Sequence, residues 1–212
     1  MAKGFFISLE GGEGSGKTTQ INHIVNMLSE RGYDVITTRE PGGVPEAESI
    51  RNLLVQRDGG QWNAISEVLL LFAARSMHVE KLIKPALSEG KVVICDRFSD
   101  STIAYQGYGR GLDLDTIREI ERLSIGNFKP DLTFILDIDV RTGLKRSTAR
   151  LSGEDSTEDR FERMDIEFHE KLREGFLEIA RKNEGRCYIL NAGQGVEQLC
   201  DEIKNIILAK LI

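Results

Sequence analysis

The string Gly11 to Thr18, GGEGSGKT, constrains this chain more than any other stretch. It fits the spacing GxxxxGK[ST]. It stands after the apolar run Phe5 to Leu9 and before Ile21, Ile24, Val25 and Leu28, which are spaced as one apolar face of a helix. Glycines in such a turn let backbone N–H groups converge on an anion, and the helix that follows presents its positive end to the same point. Gly11, Gly12, Glu13, Gly14, Ser15, Gly16, Lys17 and Thr18 are therefore expected to form a nucleoside triphosphate site. Lys17 belongs near the β and γ phosphates, and the Thr18 hydroxyl is suited to Mg²⁺. The other reading, in which the glycines merely turn the chain, is weaker, because the flanking strand and helix are those the motif requires.

Around this motif five short apolar runs read as buried parallel strands: Phe5 to Leu9, Val35 to Thr38, Val92 to Cys95, Leu132 to Leu136 and Tyr188 to Leu190. Helical periodicity lies between them, so the expected fold is α/β, a doubly wound five-stranded parallel sheet flanked by helices. At 212 residues one domain over 1–212 is the default. Ala64 to Lys84 reads as a long helix, apolar nearly all round through Val68 to Ala74, and this predicts burial against the sheet and a second subunit in a homodimer. YQGYGRGL, Tyr105 to Leu112, has three glycines in eight residues and reads as a loop. The polar stretch LSGEDSTED, Leu151 to Asp159, has no apolar face and reads as the centre of a mobile lid over about residues 147–160.

Composition removes several function classes. A net charge of −6 disfavours bulk nucleic-acid binding but leaves room for local arginines around a mononucleotide. No apolar run approaches the ~18 residues of a membrane span, and the N-terminal residues do not read as a signal peptide, so a cytoplasmic protein is expected. Cys95, Cys187 and Cys200 form no CxxC pair and read as reduced fillers of strands and a helix. The strings DxxG and NKxD of GTPase switches are missing, and NFKPD (Asn127 to Asp131) has the wrong spacing. DNA-dependent ATPases and motors generally need more chain than this.

Further strings narrow the acceptor. REPGG runs from Arg39 to Gly43 and DRFSDSTIAYQG from Asp96 to Gly107, followed by YGRGLD, while IKPAL, FKPDLTFILD and LKR lie elsewhere. With the phosphate loop these closely resemble bacterial thymidylate kinases over nearly the whole chain. The resemblance implies a P-loop nucleoside monophosphate kinase fold with a lid, ATP as phosphoryl donor, Mg²⁺, and dTMP as acceptor. It assigns Arg39 and Arg97 to the acceptor phosphate, a role that the planar guanidinium fork suits. It makes Asp96 a metal-side acid at a strand end, the place where such sheets bind ligands. It hints at a cis bond before Pro41, brings Glu13 toward the sugar 3′-hydroxyl and the metal's water shell, and sets Tyr105 against the 2′ position. The other reading of Arg39 pairs it with a surface Glu40.

For the base, the family stacks thymine on a phenylalanine four residues before an arginine. Here Phe72 precedes Arg75 by three residues, and Leu71 holds the usual place. One residue of shift turns a helical side chain by about 100°, so Phe72 either stacks differently or packs in the core. Arg75 needs a partner on so apolar a helix, and Thr102 and Gln106 complete the base edge. Family members carry a catalytic arginine either in the phosphate loop or in the lid, and Gly14 leaves the first place empty. Arg150 is the expected transition-state residue with Arg160 as the alternative, and Arg146 lies against adenine. None of His23, His78 and His169 is given a catalytic role. Two other readings remain: a kinase for another small monophosphate, and a nucleotide-binding regulator, which would not need Arg39, Asp96 and Arg97.

Overall fold

The computed structural model describes residues 4–56, 60–151 and 160–211. Five strands, β1 (Phe5–Glu10), β2 (Val35–Arg39), β3 (Val92–Asp96), β4 (Leu132–Asp137) and β5 (Cys187–Asn191), form one parallel sheet in the order β2-β3-β1-β4-β5. All five coincide with the apolar runs of the sequence to within about two residues at their ends, the usual uncertainty of such boundaries. The fold is α/β with helices on both faces of the sheet.

Alternation along β1 shows how the layers are filled. Ile7 and Leu9 pack with Ile24 and Leu28 of α1 (Lys17–Ser29) and with Ile203 and Ile207 of α9 (Val196–Leu211). Phe6 points to the other face and meets Val93 and Phe98. Successive strand residues must face opposite ways, so one hydrophobic run serves both layers. The connections follow local chemistry. Pro45 starts α2 (Pro45–Val55) at a position where its missing N–H costs nothing. Asn63 Oδ1 caps α3 (Ala64–His78) by accepting from Ser66 N at 2.9 Å, and Asp165 caps α8 (Ile166–Arg181) through Phe168 N at 2.8 Å.

Two sequence readings need correction. The run from Ala64 is not one uniform helix: α3 passes into a wider π-helical turn over Val79–Ile83 and then into α4 (Lys84–Ser88). On α3, Val68 and Phe72 are inside and Leu69 is 54% exposed. The stretch from Tyr105 is not a loop through its glycines either. After α5 (Ser99–Thr102) the chain stays helical, in π form, over Ile103–Gly109 before α6 (Leu114–Ile125) begins. A Cβ on Gly107 would lie 2.4 Å from Leu114 and one on Gly109 2.5 Å from Phe168. These glycines permit close helix packing rather than a turn. Of the expected lid, residues 152–159 lie outside the described residues, and α7 (Val140–Leu151) leads up to them.

Candidate active site

The carboxyl ends of β1, β2 and β3 open onto a cavity of about 830 Å³. Strand register places Arg39 and Asp96 side by side, with Asp96 also opposite Leu9, so two of the expected residues meet because their strands pair. The loop after β1 forms one wall through Glu13, Gly14, Ser15, Gly16, Lys17 and Thr18. Gly11 and Gly12 lie behind it, on a small second cavity of about 30 Å³. Positive φ at Gly14 (64°) and Gly16 (91°) is why glycine stands there.

Lys17 curls back over the loop, donating to Gly11 O at 3.3 Å, Gly12 O at 3.2 Å and Ser15 Oγ at 3.4 Å. Its buried amine is pushed below the usual lysine value, first by burial and then by the Arg97 charge. Asp96, Glu13 and Glu10 offset this only in part, none of its hydrogen bonds goes to a carboxylate, and an arriving phosphate would add counter-charge at hydrogen-bond range. Asp96 Oδ1 is also buried without a hydrogen-bond partner among the described residues. An orphan carboxylate oxygen on a residue that lines the same cavity as Thr18 is the hard oxygen chemistry that Mg²⁺ takes, so these residues fit that ion.

Arg97 adopts a left-handed φ of 70°, a conformation that non-glycine residues rarely hold. It is pinned there by bonds to Gly11 O at 2.8 Å, Ser101 Oγ at 3.3 Å and Glu13 Oε1 at 3.1 Å. Beneath it Glu10, unnoticed in the sequence, accepts from Phe98 N at 2.7 Å and from Ser101 Oγ at 2.5 Å. Burial, together with the charge of Asp100, pushes the Glu10 carboxyl up to about 8. For Glu13, burial alone would raise the carboxyl, but Arg97, Lys17 and the Tyr105 hydroxyl that donates to it outweigh burial and hold it below its ordinary value. Glu13 thus stands between the phosphate loop and the acceptor side.

The acceptor side is a buried polar wall. Arg75, on α3, is 2% exposed and donates through Nε to Glu40 at 2.6 Å and through Nη2 to Thr102 Oγ1 at 3.0 Å. Its guanidinium lies 4.6 Å from the Phe72 ring centre and 5.2 Å from that of Phe98. Its Nη1 has no hydrogen-bond partner among the described residues. Gln106, also on the wall, gives Nε2 to Glu67 at 3.1 Å and leaves Oε1 unpartnered. Thr102, Tyr105, Arg97 and Arg39 line the same space.

Several expectations change. Phe72 is 1% exposed in the core and does not face the cavity, whereas Leu71 does; the one-residue shift turned the ring away. Glu40 is not a surface partner of Arg39. It is buried between Arg75 and His78 Nδ1 (2.9 Å), and Arg39 instead pairs with Glu48 at 3.1 Å. The Glu40–Pro41 bond is cis, as the resemblance hinted. His78 and His169, given no catalytic role above, are both buried. Arg51 was missed in the sequence; it lines the cavity and donates to Pro41 O at 2.9 Å.

The lid-side arginines separate. A Cβ on Gly14 would sit 2.1 Å from Gly143 O, and one on Gly143 would sit 2.5 Å from Glu13 O, so α7 docks backbone to backbone on the phosphate loop. This contact also bars any side chain at Gly14. Arg146, Ser147 and Arg150 follow Gly143 by three, four and seven residues on the same helical face and reach the cavity. Arg146 donates to Ala192 O at 3.2 Å. Arg160 is not brought to the cavity: it bonds Leu54 O at 2.8 Å and Glu67.

The family model described as thymidylate kinase matches residues 9–203 of this chain. Curated relatives named thymidylate kinase are similar along its length. The one from Caulobacter vibrioides is 45% identical over 211 residues, covering 100% of this chain and 99% of that relative. The one from Geobacter sulfurreducens is 45% identical over 209 residues and covers 98% of each. A crystal structure of thymidylate kinase from Ehrlichia chaffeensis superposes with a TM-score of 0.78 at 38% identity, covering 97% of this chain and 99% of that one.

Proposed function

Because the chain belongs to the thymidylate kinase family, we infer that the cavity holds ATP and dTMP end to end and that the side chains lining it divide the reaction among them. The protein transfers the γ-phosphate of ATP to dTMP, forming dTDP. The observation that carries the reading of this site is that one cavity joins the phosphate loop to two buried, unpartnered polar atoms, Arg75 Nη1 and Gln106 Oε1. A free donor and a free acceptor on one wall complement the O4 and N3–H of thymine.

The loop from Gly11 to Thr18 cradles the ATP phosphates, with Lys17 on the β and γ groups and Arg146 beside the adenine. Arg39 leaves Glu48 and, with Arg97, holds the acceptor phosphate in line. Thr18 and Asp96 would hold Mg²⁺, which would supply neutralisation of phosphate charge. Glu13 and Tyr105 face the sugar, where the ring excludes a 2′-hydroxyl. Arg150 meets the phosphoryl group in flight, and the attacking group is already an anion, so the chain needs no general base. Leu69 exposed on α3 and Leu53 on α2 support a homodimer through this side. A cytoplasmic site of action fits an ATP-dependent kinase with Cys95, Cys187 and Cys200 free. Among the described residues, no helix is long and apolar enough to cross a membrane. Coupled ADP release with each monophosphate in turn tests this reading, with dTMP expected fastest, dUMP slower and purine monophosphates negligible. Faster turnover on dCMP or a purine monophosphate would overturn it.

A further inference from the structure

Glu67 is the most thoroughly occupied carboxylate near the cavity and belongs to none of the roles above. It is wholly buried near the start of α3 and gathers three residues from distant parts of the chain. Arg110 and Arg160 both donate to Oε1, and Gln106 Nε2 donates to Oε2 at 3.1 Å. The two arginines are themselves anchored, Arg110 on Trp62 O at 3.1 Å and Arg160 on Leu54 O at 2.8 Å, so the plane of the carboxylate is fixed.

A carboxamide carries two donors on nitrogen and an acceptor on oxygen, whereas a carboxylate held between two guanidinium groups only accepts. Glu67 therefore admits one orientation of Gln106, nitrogen toward itself and oxygen left over. That oxygen is the buried Oε1 that finds no partner among the described residues. Arg75, tied to Thr102 one helical turn before Gln106, leaves a donor on the same wall.

We propose that Glu67 is a positioning residue that sets base specificity by locking the Gln106 amide with its oxygen toward the cavity. The inference rests on the reading of the cavity as a thymine site. Thymine offers an acceptor at O4 and a donor at N3, and both are met. Cytosine offers the reverse, an amino group at C4 and a bare N3, so it sets donor against donor at C4 and acceptor against acceptor at N3. Turning the amide over would repair half of that mismatch for cytosine and spoil half of the match for thymine. Glu67 forbids the turn because an amide oxygen against a carboxylate is a repulsive, unpaired contact.

Glu67→Gln tests the proposal, since a neutral carboxamide accepts either face of Gln106. The readout is the ratio of kcat/KM for dTMP to that for dCMP, with melting temperature followed alongside. The ratio should fall at least about tenfold, through a higher KM for dTMP and a measurable rate on dCMP, while kcat for dTMP changes little. A merely structural role would lower Tm and all rates together and leave the ratio where it was, and that result overturns the proposal. In a Gln106→Leu background, Glu67→Gln should change the ratio no further; an additive loss would show that Glu67 does not act through the amide. If Glu67→Gln does not fold, Glu67→Asp takes its place. It keeps the charge for both arginines while withdrawing from Gln106, and should move the ratio in the same direction. If the wild-type enzyme itself fails to prefer dTMP over dCMP, the thymine reading fails instead.

Discussion

The two sides of the cavity are built differently. On the acceptor side, Arg75, Glu40, Glu67, Thr102 and Gln106 are all buried, and each is fixed by at least one other member of the wall. On the donor side, Arg146 and Arg150 lie exposed on α7, and Arg150 makes no hydrogen bond or ion pair with a described residue. A buried arginine costs several kcal/mol unless it is paired, so a base-reading wall must be assembled as a unit during folding. A phosphoryl group in flight exists only with both substrates in place, and charges meant for it are best left uncommitted until then.

The largest effect expected from that contrast is on turnover. Arg150→Ala should lower kcat by about 10³ to 10⁵, the range known for arginine fingers, with little change in the affinity for ATP. Arg160→Ala, which removes a Glu67 partner instead, should leave kcat much nearer normal. Steady-state kinetics of both variants decide it, and the opposite pattern would move the finger to Arg160.

Next in size is Gly143→Ala. An added methyl would press 2.5 Å from Glu13 O, and overpacking of this kind costs about 1–3 kcal/mol. Since the strain falls on the docking of α7, kcat should drop roughly tenfold to a hundredfold, with KM for dTMP almost unchanged. A selective rise in KM for dTMP would mean that the two sides are not separate.

The pH dependence of stability probes the acceptor-phosphate corner. Glu10 titrates near 8 when folded, above its ordinary 4.5, so the native state binds the extra proton between those values. Its contribution is fully present below about pH 4.5 and lost as the pH rises through 8. Urea melts at pH 6, 7 and 8 should show wild-type stability declining relative to Glu10→Gln, which mimics the protonated acid. Parallel profiles would contradict the burial argument.

The smallest effect should come from Leu71→Phe. Putting a ring on the cavity wall adds stacking of about 0.5–1.5 kcal/mol, so KM for dTMP should fall by less than about tenfold. A large rise would show that Leu71 does not face the base.

How much of this the sequence discloses depends on range. The phosphate loop is legible because its chemistry is written in eight consecutive residues, and the strands because a parallel sheet buried on both faces must be apolar in runs. Arg75 is legible from the rule that an arginine among apolar residues needs a partner. Its actual partner, Glu40, lies beside Arg39 in the sequence yet turns the other way, into the interior. Glu67, Glu10 and Gly143 escape because their partners lie across the chain and local patterning carries no trace of them. Phe72 misleads for the opposite reason. A familiar residue type sits one place out of register, and on a helix one place is enough to exchange cavity for core.

The most direct test of the contrast is calorimetric titration of dTMP and dCMP into the protein with no ATP present. A wall assembled during folding should bind dTMP on its own and bind dCMP at least about tenfold more weakly. Equal binding of the two, or no binding of dTMP until ATP is added, would contradict it.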